Sequence, residues 1–161
     1  MITKYLISRD RVVVEIPEKT IDHMKAHSNV QWKHVEQAVS RLELGNRTFL
    51  METVELPYII GKSNCVSSED KDVQMLYRKG RAGKSPVILD GEGTPTNKIT
   101  IGICKKEDTY YLFTAFYGEK ATREPWDTNI ETEEEREECE RFWSTHALCC
   151  TPDEIDWERS K

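Results

Sequence analysis

No apolar run in this 161-residue chain approaches the roughly 18 residues that a membrane-crossing helix needs. The N-terminal stretch MITKYLISRDRVVVEIP puts Arg9, Asp10 and Arg11 where a signal peptide carries its apolar centre. The expectation is a cytoplasmic protein with no membrane partner. Cysteine occurs five times, an odd number with no C-x-x-C spacing. That excludes a disulfide framework and a zinc-knuckle pattern, and predicts free thiols in a reducing compartment. The nucleophile elbow G-x-S-x-G is missing. RKGRAGK is no P-loop, because two residues separate Gly80 from Gly83 where that motif has four. In IDHMKAH, His23 and His27 stand four apart, but Met24 occupies the place of the glutamate in a zinc protease. No metal and no cofactor is therefore assigned. The net charge of −6 argues against a grip on nucleic acid by the whole surface.

The charge that is present is uneven. ETEEEREECE fills 131–140, whereas Lys71, Arg78, Lys79, Arg81 and Lys84 gather in one stretch. The length suggests one domain over 1–150, followed by a polar tail over 151–161. Val12-Val13-Val14 is β-branched and suits a strand that Pro17 stops. Thr20 is placed to cap a first helix, and Trp32, Val35, Val39 and Leu42 form an apolar stripe on a second. Thr132 and Glu135 open a third, strongly acidic helix. The best-defined element is the hairpin within Lys98–Asp127, with its turn at Lys105-Lys106-Glu107-Asp108. Together these predict an α+β fold: N-terminal helices packed on a twisted antiparallel β-sheet, with a C-terminal acidic helix.

Candidate functional residues cluster in three places. Arg78, Arg81 and Lys84 on the RKGRAGK turn suit phosphate, which guanidinium groups clamp in bidentate fashion. At the hairpin end, strand alternation puts Thr114 and Phe116 on one face and Phe113 and Ala115 on the other. Thr114 and the following Arg123 are candidates for phosphate contact, and Phe113 and Phe116 are read as core. Trp126 and Trp143, near His146, are read as packing residues before base-stacking platforms.

KTIDHMKAHSNVQWKHVEQAV and the hairpin end Thr114-Ala115-Phe116-Tyr117-Gly118 resemble segments of the barnase, EndoU, colicin and RelE-like ribonuclease superfamily. Where members often carry Arg-His-Pro, this chain has Ala26-His27-Ser28. GRAG, FTAFYGEKATREPWD and FWSTHAL are similar to an uncharacterised bacterial branch with that fold. The resemblance implies a metal-independent endoribonuclease of toxin or effector type, cleaving RNA by 2′-hydroxyl transesterification. By that resemblance His27 would be its acid/base residue and Thr114 a substrate-contacting strand residue. The chemistry of the side chains, and not the resemblance, adds Arg81 as the catalytic cation and Arg78, Lys84, Arg123 and His146 as substrate-binding residues. The implied partners are RNA and a cognate inhibitor or antitoxin protein. The alternative is a non-catalytic binding module of the same fold for nucleic acid or protein, as in an accessory protein of phage defence or a mobile element.

Overall fold

The computed structural model describes residues 5–25 and 29–161. In chain order its elements are β1 (Tyr5–Ile7), β2 (Val13–Glu15), α1 (Glu18–Lys25), α2 (Trp32–Val39), β3 (Phe49–Glu55), β4 (Gly61–Ser63), β5 (Cys65–Ser67), β6 (Gln74–Tyr77), β7 (Lys84–Leu89), β8 (Thr94–Thr96), β9 (Lys98–Lys106), β10 (Thr109–Tyr117), α3 (Glu133–Thr145) and β11 (His146–Cys150). The content is α+β and dominated by sheet. No helix among the described residues is long and apolar enough to cross a membrane. Where the sequence suggested one domain over 1–150, the chain forms two compact units, Met1–Ser63 with Pro95–Lys120, and Asn64–Thr94 with Ala121–Lys161.

The first unit holds a five-stranded sheet in the order β1-β2-β10-β9-β3. The sheet is mixed, not purely antiparallel: β2 runs parallel to β10. Both helices and the second unit's first segment lie between those strands in sequence, and parallel pairing needs such a long crossover. Alternate strand residues Leu50, Ile99, Ile101, Ile103, Leu112 and Ala115 form one buried cluster with Met24 of α1 and Val35, Ala38 and Val39 of α2. The hairpin turn is tighter than its sequence suggested. Glu107 and Asp108 alone form it, both in the left-handed region at φ 49° and 67°, as a two-residue turn between right-twisted strands requires.

β2 covers the edge of β10 only at Tyr110 and Tyr111. Pro17 then ends the strand, and α1 takes over the edge. Thr20 is not its cap. It lies inside the helix, buried, and its hydroxyl donates to the Leu112 carbonyl at 2.7 Å. This occupies a backbone acceptor that an uncovered sheet edge leaves open.

The second unit holds a four-stranded sheet in the order β5-β11-β7-β6. Strand alternation gives it two small apolar clusters. Leu76, Val87, Cys150 and Ile155 make one, and Val66, Ile88 and Ala147 the other. Residues 151–161 are not a free tail. The Asp156 amide donates to the Tyr77 carbonyl at 2.8 Å, the Lys79 amide to the Glu154 carbonyl at 2.9 Å, and the Tyr77 amide to the Ser160 hydroxyl at 2.9 Å. The segment closes the outer edge of β6. On α3, Thr132 accepts the Glu135 amide at 3.1 Å, whereas the Glu135 carboxylate reaches back to the Glu131 amide.

Candidate functional site

The residues singled out from the sequence are divided between the units. His27 lies outside the described residues. Thr114 belongs to the first unit, where its hydroxyl lies 3.0 Å from Nε2 of His23, the other histidine of IDHMKAH. Arg78, Arg81, Lys84, Arg123 and His146 belong to the second unit.

Within the second unit, RKGRAGK and EPWD form one latch. Arg78 Nη2 donates to Glu124 Oε1 at 2.5 Å, and Ser85 Oγ donates to the same oxygen at 2.6 Å. Trp126 Nε1 donates to Ser85 Oγ at 3.0 Å. Gly83 lies directly beneath the indole: a Cβ there would stand 2.1 Å from Trp126 Cβ. The charge of Arg78 is thus compensated in a largely buried pair, and its buried Nε has no hydrogen-bond partner among the described residues. Arg123 is shared between Glu135 at 3.2 Å and Asp127 at 3.6 Å, and its carbonyl accepts from Trp143 Nε1. Lys84 and Arg159 both lie over the Tyr77 ring. His146 stacks on Phe142, with ring centres 4.1 Å apart. Arg81 is exposed and forms no ion pair among the described residues.

A different set of residues meets in the first unit. Phe113 is the extra residue of a β-bulge, because β10 shifts register against β9 between Leu112 and Thr114. The shift breaks the alternation that sequence spacing implied. Ala115 joins the core, and Phe113 turns to the open face of the sheet, so neither Phe113 nor Phe116 belongs to the buried core. The Phe113 ring lies over Gly102 and stacks on Phe49 with centroids 5.6 Å apart and planes at 23°. Phe49 is 61% exposed. Phe49, Cys104, Tyr111 and Phe113 line a groove of about 630 Å³, with Lys19 and Lys106 also contributing to its walls.

The groove is part of a longer pattern. Tyr5, Glu15, Tyr111, Cys104 and Phe49 are successive cross-strand partners, so one row of side chains crosses all five strands on the open face. Beside it, Ile7 and Val13 are paired and both exposed. Aromatic and apolar side chains are concentrated at this end of the face, where a solvated sheet face ordinarily alternates to polar.

The other titratable groups are structural in character. Buried His34 lies with Nδ1 2.6 Å from the Tyr117 hydroxyl, which also accepts the Gln31 amide at 2.9 Å. Burial holds the imidazole below its ordinary range and the phenol above its own, so both groups favour their neutral forms. None of the five cysteines is in a disulfide. Burial pushes the Cys65 and Cys150 thiols up to about 11, which suppresses thiolate chemistry. Among the described residues, no three His, Cys, Asp or Glu side chains converge to hold a metal.

The chain matches no protein-family model, no curated protein and no solved structure. Fold and site together define a two-unit α+β protein whose first unit carries an exposed aromatic sheet face.

Proposed function

We propose that the first unit binds single-stranded RNA across the open face of its sheet. The observation that carries this is the exposed Phe49–Phe113 stack in a groove whose walls include Lys19 and Lys106. Unpaired bases stack on aromatic side chains whatever their identity, and lysines beside them meet the phosphates. Two lysines and one carboxylate, Glu107, line the groove, so it is less acidic than the surface as a whole. A set of N-terminal helices against a sheet is also what the ribonuclease resemblance implies, and that resemblance favours RNA over DNA.

A second reading, cleavage, is favoured by one contact. His23 stands four residues after Lys19 on α1 and touches Thr114, the neighbour of Phe113 in the bulge. In this reading the imidazole would take the proton of a 2′-hydroxyl. The 2′-oxygen would then attack phosphorus and the 5′-oxygen would leave with a proton, giving a 2′,3′-cyclic phosphate and a 5′-hydroxyl. Lys19 would offset the charge that develops on the phosphate. His27 remains the second histidine assigned to this chemistry. No part of this reading rests on Arg78 or Arg81.

Fluorescence anisotropy with a labelled single-stranded RNA 12-mer tests binding. Phe49→Ala is expected to weaken it by about 5- to 100-fold, from the cost of losing one stacked base. A 12-mer duplex is expected to bind far more weakly. If no single-stranded RNA binds and the chain dimerises through this face, the surface is a protein interface. Cyclic-phosphate ends that disappear in both His23→Ala and His27→Ala would support cleavage. Binding with no product from the wild-type chain would leave a binding module only.

A further inference from the structure

Glu15 is the anomaly of the aromatic row. It stands between Tyr5 and Tyr111, paired in register with both. It is exposed, and its carboxylate forms no hydrogen bond or ion pair among the described residues. A lone carboxylate between two aromatic rings on a phosphate-binding face works against affinity, because it repels the backbone it would meet. Register explains why it cannot turn away. Val14 is wholly buried in the core, so strand alternation fixes Glu15 on the open face.

We infer that Glu15 is a specificity-determining residue that selects a base carrying an exocyclic amino group, cytosine in the first instance, over uracil. This rests on the RNA-binding reading of the same face. A base stacked on Tyr111 or Tyr5 presents its edge along the row, towards the neighbouring strand. A carboxylate only accepts hydrogen bonds, so it pairs with the N4 amino group of cytosine. Uracil carries a carbonyl oxygen at that position, and two acceptors then face each other. Cytosine and uracil have the same ring size and similar stacking area, so the two pyrimidines differ at the edge that Glu15 reads. Adenine also offers an amino group, but its larger ring adds stacking that would mask the effect.

The test compares C8 and U8 oligoribonucleotides by anisotropy with the full chain. Five strands at ~4.8 Å spacing make the row ~19 Å long. Eight nucleotides span it even when stacked at about 3.4 Å each. The wild-type chain is expected to prefer C8 over U8 by about tenfold. Glu15→Gln presents both a donor and an acceptor, and is expected to raise U8 affinity, hold C8 affinity and bring the ratio close to one. An unchanged ratio in Glu15→Gln overturns the inference. So does an equal rise for both oligonucleotides, which would make Glu15 a general electrostatic brake. Wild-type binding of both without preference removes the inference and leaves the RNA-binding face intact. Failure to bind either oligonucleotide removes both.

Discussion

Phe113 lies on Gly102 so closely that a Cβ at residue 102 would stand 2.6 Å from the ring. The missing side chain on β9 is what lets the bulged phenylalanine of β10 settle flat and meet Phe49. Gly102→Ala is therefore expected to lift the Phe113 ring and separate it from Phe49. Overpacking of this kind costs about 1–3 kcal/mol. Thermal unfolding should report that loss. RNA anisotropy should show weakened binding at temperatures where the variant is still folded. Full affinity in a destabilised Gly102→Ala would detach the stack from RNA recognition.

The Arg78–Glu124 pair carries the second prediction. Glu124→Ala leaves a mostly buried guanidinium with neither its carboxylate nor a partner at Nε. Breaking a buried pair from one side costs about 3–5 kcal/mol, and partial access to water at this pair lowers that to about 2–4 kcal/mol. Arg78→Met combined with Glu124→Gln removes both charges and is expected to recover most of the loss. Three of the four tryptophans, Trp126, Trp143 and Trp157, lie in the second unit. Urea titration followed by tryptophan fluorescence therefore reads this unit. A Glu124→Ala chain as stable as the double variant would show that the pair is not needed.

These two cases mark how far the sequence was legible. The hairpin, the β1–β2 pair and the amphipathic stripe of α2 follow from local patterns: β-branched runs, a charged turn, helical spacing of apolar residues. RKGRAGK read as a phosphate clamp because arginine near glycine has that chemistry. Its actual partner, Glu124, lies 46 positions away, and no local pattern points across that distance. Unbroken alternation puts Phe113 on the face of Ala115. A one-residue bulge inverts that assignment, and the only trace it leaves in sequence is the glycine opposite. Phe49 and Tyr5 drew no attention because a lone aromatic in a strand is ordinary. Their common face exists only once five strands are in register.

The C-terminal segment yields the third prediction. Ile155 is 1% exposed and packs with Leu76 and Val87, although the composition around it is that of a solvated tail. Ile155→Ala removes buried methyl groups from a cluster of few members, where little can collapse to fill the space. The expected cost is about 2–4 kcal/mol. Removal of residues 154–161 is expected to cost more, because it also uncovers the edge of β6, and to promote association through that edge. Urea midpoints and light scattering of the two variants separate the packing loss from the edge effect. A truncated chain of wild-type stability would return the segment to the status of a tail.

His34 gives the last prediction, and its sign follows from burial. The folded chain holds this imidazole below its ordinary value of 6.5, because burial disfavours the charged ring, and its Nδ1 is hydrogen-bonded to the Tyr117 hydroxyl. Below pH 6.5 the unfolded chain therefore binds a proton that the folded chain resists. The stabilisation is complete above pH 6.5 and is lost as the pH falls through the depressed folded value. Melting temperature is expected to decline between pH 7 and pH 5. His34→Gln, which cannot titrate, should flatten that decline while lowering stability at pH 7, where the native pair is intact. Tyr117→Phe should lower stability at both pH values, because the Gln31 amide loses its acceptor as well. That loss is about 1–3 kcal/mol for a buried group left unpaired. A pH profile in His34→Gln as steep as that of the wild type would assign the acid sensitivity elsewhere. Asp10 would not account for it. Ser8 and the Leu44 and Gly45 amides hold its carboxyl down to about 2, and that contribution fades only in much stronger acid.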